Sequence, residues 1–153
     1  MSAAALIWPY IERSVESLRG VAADLTPAEL VWRPPAADAN SIATLLTHTI
    51  ANAEDNLLGT LLALPGTYDR ERDFVAPDLD VGAAEARWRR LRETFEAALP
   101  GLNDARLLAA ITHPRRGSIT GLEVMLVVAR HTAEHLAHAE LTRDLLLAER
   151  ARP

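Results

Sequence analysis

The chain has 153 residues, 49% apolar and 24% charged, with a formal net charge of −5 at pH 7. That describes one domain spanning 1–153, long enough for a single hydrophobic core and too short for two ordinary ones. It has no Cys, and all 16 basic residues are Arg, which excludes disulfides, thiolate metal sites, a Cys nucleophile, a protein Schiff base and a P-loop lysine.

Ala and Leu dominate, β-branched residues are sparse, and Pro clusters between long unbroken stretches, a composition that favours an all-α domain. The first helix is expected to start at Trp8-Pro9, where the missing N–H of Pro is harmless. Ile11, Val15, Leu18, Ala22 and Leu25 then recur at helical spacing until Thr26-Pro27 ends it. A Pro-rich loop follows, centred on Trp32-Arg33-Pro34-Pro35. The second helix is expected to be capped at Asn40 or Ser41 and to run to about Leu64, before Pro65-Gly66.

Pro65 to Asp80 is aperiodic and reads as a long loop. Asp80 can cap a third helix with an inward stripe of Val81, Ala84, Trp88, Leu91, Phe95, Ala98 and Leu102, ending at Pro100-Gly101. The arginines of Arg87-Trp88-Arg89-Arg90-Leu91-Arg92 flank that stripe and precede Glu93 and Glu96, which reads as a solvated mixed-sign face rather than a nucleic-acid surface. A helical turn at Asp104–Ala110 and a turn or short hairpin around Thr112–Gly117 lead to the last and longest helix, from Thr120 or Gly121 to about Glu149. Four long helices make a four-helix bundle, and the long loop before the third permits a crossover connection.

The acidic balance gives no electrostatic footprint for nucleic acid or anionic membrane. No basic region precedes an apolar run at the N-terminus, and no apolar run approaches the roughly twenty residues of a spanning helix. A cytoplasmic location is the expectation.

Site chemistry therefore falls to a small set of side chains, among them five His. In Arg130-His131-Thr132-Ala133-Glu134-His135-Leu136-Ala137-His138, the first two imidazoles lie one turn apart within about 40°, and His138 within about 20° of His131. Imidazoles at i and i+4 can offer nitrogens to one ion. They can equally be core residues hydrogen-bonded to one another. His48 lies midway along the second helix with Leu45, Asn52 and Asp55 on its stripe, and so much inward polarity is costly unless the groups serve one another or an ion. Asn52 and Asp55 are candidates to orient the imidazoles from behind, and Asp55 to ligate directly. His113, before Pro114 in a turn, reads as a loop residue.

Other constellations fail. No Glu stands three residues before a His, so the pairs of di-iron carboxylate bundles are missing. His131–His135 matches HxxEH, but only eighteen residues follow, too few for the distant acidic ligand of that zinc-peptidase pattern. There is no GxSxG and no glycine-rich phosphate loop.

Trp32-Arg33-Pro34-Pro35, Asn40-Ser41-Ile42-Ala43, His48, and His131-x-x-x-His135 followed by Arg143 together make the chain resemble the DinB-like family. These are small bacterial four-helix bundles taken to be metalloenzymes, related to mycothiol-dependent maleylpyruvate isomerases and bacillithiol S-transferases. The resemblance covers nearly the whole chain. It implies a three-His metal site at His48, His131 and His135, and a homodimer. Where the family often carries Gly-Gln, this chain has Ala137-His138, so His138 either replaces that Gln behind the ligands or competes as a ligand.

Two function classes follow. The first is a metal-dependent enzyme acting on a small molecule, with zinc or nickel lowering the pKa of a bound water or of a low-molecular-weight thiol cosubstrate. S-transfer or isomerisation fits the related enzymes, and hydrolysis is the alternative. The second is a non-catalytic metal- or ligand-binding bundle of a stress response.

Overall fold

The structure is a computed structural model that describes residues 1–65 and 80–152. Most of the expected loop between Pro65 and Asp80 lies outside the described residues.

Helix α1 spans Ala3–Ala23. It begins upstream of the expected Trp8-Pro9 start, and the reason is visible in its buried stripe. Ala4, Trp8, Ile11, Val15, Leu18 and Ala22 hold helical spacing straight through Pro9, so burial outweighs the one backbone hydrogen bond that proline removes. Ser2 caps the first turn, and the Ala3 N–H donates to Asp104 Oδ1 at 2.9 Å. Thr26-Pro27 does not merely end this helix. It opens a four-residue helix, α2 (Pro27–Leu30), through a capping box in which Thr26 and Glu29 satisfy each other's backbone N–H groups.

Helix α3 (Ile42–Glu54) starts at the expected cap, with Ser41 Oγ accepting from the Thr44 N–H at 3.1 Å. Its continuation, Asp55–Leu61, widens to π geometry, and Ala63 closes the segment at φ 56°. Leu57, Leu58 and Leu61 stay buried across it.

Helix α4 (Val81–Ala98) is capped by Asp80, whose Oδ1 accepts from the Ala83 N–H at 2.9 Å. Its buried residues are Ala84, Trp88, Leu91 and Phe95, the expected stripe. The Trp8 ring packs at a tilt against both Trp88 and Phe95, with ring centroids 6.0 and 4.8 Å away. Among the arginines of the stretch Arg87–Arg92, Arg89, Arg90 and Arg92 are exposed as the mixed-sign face requires, and Arg87 alone is half-buried. Arg87 and Arg90 both pair with the buried carboxylate of Glu54 on α3, the latter at 2.7 Å, and Arg92 pairs with Glu12 and Glu96. A buried carboxylate needs such partners, and they sit one turn apart on α4.

After a 3₁₀ turn at Leu99–Gly101 and the short α5 (Asp104–Leu108), strands β1 (Ala110–His113) and β2 (Gly117–Thr120) form the expected hairpin. Ala110 pairs with Thr120 and His113 with Gly117; Gly117 takes φ 72°, which suits glycine at the turn. Helix α6 (Gly121–Arg150) starts from a second capping box, Thr120 with Glu123.

Helix α6 packs chiefly on α1 and then on α3, whereas α4 packs chiefly on α3. The consecutive long helices α4 and α6 thus both pack on α3 rather than chiefly on each other, which simple up-and-down connectivity would not give. At the start of α6 the chains approach closely. A Cβ on Gly121 would lie 2.7 Å from Leu61 Cδ1 and 3.4 Å from the Leu107 backbone. No helix among the described residues is long and apolar enough to cross a membrane.

Candidate metal centre

His48 projects from α3, and His131 and His135 from successive turns of α6. Helical spacing brings the latter two onto one face, and the α3–α6 packing brings the first against them. Buried Leu45, Val128 and Ala139 on the same stripes fix that face inward. Each residue offers one ring nitrogen, and the three nitrogens lie within 4.8 Å of one another. The Nε2 atoms of His48 and His131 are 3.1 Å apart. The rings stand nearly perpendicular: 74° between His48 and His131, 85° between His48 and His135, 84° between His131 and His135.

The 3.1 Å between His48 and His131 suits a shared ion. Two nitrogens each about 2.0–2.1 Å from one metal are separated by about 2.9–3.4 Å for coordination angles between octahedral and tetrahedral. The Nε2 of His135 is buried and has no hydrogen-bond partner among the described residues, a loss of about 1–3 kcal/mol if nothing else engages it. Burial, then His135 and the guanidinium groups of Arg130, Arg116 and Arg115, push the His131 pKa down to about 4. Burial and His138 likewise lower that of His135, against the opposing pull of Glu134. Near neutral pH His131 therefore presents an uncharged ring with a lone pair, the form that binds metal.

The other residues singled out from the sequence are placed differently. Asn52 Oδ1 accepts from Asn56 Nδ2 at 3.2 Å, and Asp55 pairs with Arg115 at 3.1 Å. His138, half-buried, is near enough to His135 to affect its titration but is not one of the three converging groups. Glu134 is exposed and pairs with Arg130 at 3.3 Å.

His113 is no surface loop residue. It ends β1 with 2% exposure, its Nδ1 accepting from the Arg115 N–H and its Nε2 lying 3.0 Å from Asn56 Oδ1. That first bond assigns the ring proton to Nε2, which donates to Asn56. The signal available in the sequence was strand alternation, which puts His113 on the inward side with Ile111.

The DinB superfamily model matches residues 10–139. The crystal structure of a conserved protein from Enterococcus faecalis is similar in fold, with a TM-score of 0.79 at 16% identity, covering 97% of this chain and 99% of that one. No curated protein matches the chain.

Proposed function

The chain belongs to the DinB superfamily, and from that premise we propose a metal-dependent enzyme in which His48, His131 and His135 hold one divalent ion, zinc or nickel. The observation that carries this reading is the convergence of three imidazole nitrogens in which the buried Nε2 of His135 lacks a hydrogen-bond partner among the described residues. A cluster serving stability alone would leave that nitrogen's desolvation uncompensated.

An ion held there supplies Lewis acidity, lowering the pKa of a thiol or water brought against it. The imidazoles contribute neutral donors and leave its positive charge undiminished. No carboxylate joins them among the described residues, so the site favours an anionic nucleophile over one that needs a resident base. Because the chain has no Cys, a sulfur nucleophile must come from a low-molecular-weight thiol cosubstrate. Thiol-dependent S-transfer or isomerisation of a small molecule is the activity we propose. His138, next to His135, is the residue to support that ligand from behind. A homodimer is part of the proposal, supported by exposed Leu126, Leu141 and Leu145 on α6.

Metal content of the purified protein and of His48→Ala, each after reconstitution with zinc or nickel, tests the reading. Stoichiometric metal in the parent and at least about 100-fold weaker retention in the variant is the expected result. Absence of stoichiometric metal from both removes the proposed site. Metal bound without turnover of any thiol and electrophile pair would instead favour the non-catalytic binding bundle.

A further inference from the structure

Away from the imidazoles, a cavity of about 670 Å³ opens between the π-helical continuation of α3 and strand β1, within the size range of small-molecule sites. Gly59 on its wall follows His48 by eleven residues of one helical path, about 15 Å along the axis. The cavity is therefore separate from the three-His site.

One wall is built from irregular backbone. Asp55–Leu61 has π geometry, a form that recurs at functional sites. Ala63 holds a left-handed conformation at φ 56°, where glycine is usual after a helix. Glycine there would be less strained, but the cavity would lose the methyl group that lines it. The opposite wall, Ile111, Thr112 and Pro114 of the hairpin, is tied to the first. His113 Nε2 donates to Asn56 at 3.0 Å, and the Arg115 N–H donates to His113 Nδ1 at 3.0 Å. The Arg115 guanidinium reaches Asp55 at 3.1 Å. The two sides cannot part without breaking these bonds, so the space between them is preorganised.

The charged side chains of the lining are Asp55 and Arg106. Asp55 is neutralised by Arg115, whereas Arg106 takes no ion pair among the described residues. Its backbone N–H is fixed by Asn103 Oδ1 at 2.9 Å, and the adjoining Leu107 is buried. The guanidinium thus extends from a rigid base. Leu61, Leu64 and Ile111 supply apolar surface beside it, and Thr60 and Thr112 supply hydroxyls. A single uncompensated guanidinium against apolar walls suits an organic anion with an apolar body.

We propose that this cavity binds a small carboxylate, its charged end held by Arg106 and its hydrocarbon by Leu61, Leu64 and Ile111. The site stands whether or not the three imidazoles hold a metal. Arg suits the task because its planar fork stays charged at any working pH and matches a carboxylate bidentately.

Benzoate, hexanoate and benzyl alcohol are titrated into the isotope-labelled full chain at pH 7.5, with backbone amide resonances as the readout. Benzyl alcohol resembles benzoate in size and lacks its charge. Amides of residues 59–62 and 111–112 are expected to move saturably with both carboxylates, and benzyl alcohol to bind about tenfold more weakly. Arg106→Gln, a change at an exposed side chain, should weaken both carboxylates about tenfold with resonances elsewhere unchanged. Arg106→Lys should restore part of that loss. His48→Ala should leave the carboxylate titrations as they are, which separates this cavity from the metal reading. Stationary resonances with both carboxylates overturn the proposal, as does equal affinity for benzoate and benzyl alcohol. Affinity that survives Arg106→Gln also overturns it, and loss of binding in His48→Ala would move the ligand to the imidazoles.

Discussion

Acidifying the metal-free protein should destabilise it through His131, and the size of the loss can be worked out. Burial, His135 and the nearby arginines hold its pKa at about 4, against 6.5 for an unperturbed imidazole. A depressed imidazole pKa means that the unfolded chain takes up a proton the folded one refuses. Stability is therefore full above about pH 6.5 and falls as pH drops toward 4. At about 1.4 kcal/mol per pH unit the ceiling is about 3 kcal/mol, and solvent screening at the half-buried ring reduces that to about 1–2 kcal/mol. His135 and His113, both also lowered, act in the same direction. The assay is urea denaturation by circular dichroism at pH 7.5, 6.5, 5.5 and 4.5, comparing the parent with His131→Gln. The parent should lose about 1–2 kcal/mol more than the variant across that range. Parallel curves would refute the reasoning. Added zinc at about 100 times its Kd should raise stability at pH 7.5 by about 2.7 kcal/mol, a gain that disappears as the ligands protonate.

Three further changes probe the scaffold. Glu54→Ala removes a buried carboxylate shared by Arg87 and Arg90 and should cost about 3–5 kcal/mol, read as a thermal midpoint lower by about 10 °C. Asn56→Ala takes the acceptor from the buried Nε2–H of His113. It should cost about 1–3 kcal/mol and speed amide hydrogen exchange at Gly117–Thr120, while an unchanged exchange rate would show that the hairpin is held elsewhere. Ala63→Gly relieves a left-handed backbone at φ 56° and should stabilise by about 0.5–1 kcal/mol in urea denaturation, the net of steric relief and added chain entropy.

What the sequence disclosed follows the range of the interactions involved. The caps at Ser41 and Asp80, the start of α6 at Thr120-Gly121 and the stripe of α4 depend on residues three or four positions apart, and each stands where expected. The His131–His135 pair is legible for the same reason. The meeting of His48 with that pair depends on how α3 packs on α6, so periodicity offered only its inward polar company as a hint, and it was the family resemblance that joined the three. Where the reading failed, a distant contact decided the outcome. Pro9 looked like a helix start, but Ala4 and Trp8 find partners in the core and carry α1 past it. Arg87 looked solvated because Glu54 lies 33 positions away, and His113 looked like a loop residue because Asn56 is 57 positions away. The π geometry of Asp55–Leu61 has no periodic signature distinct from a helix.

Gly121 lets Leu61 and the Leu107 backbone crowd against the first turn of α6, and this contact acts as an axial stop. A helix held only by a smooth apolar stripe can slip by one turn, about 5.4 Å, and find equivalent apolar partners. Such a slip would exceed the 3.1 Å between His48 and His131 nitrogens and scatter the donors. The close fit at Gly121, ten residues before His131, thus favours the axial register in which the three imidazoles meet.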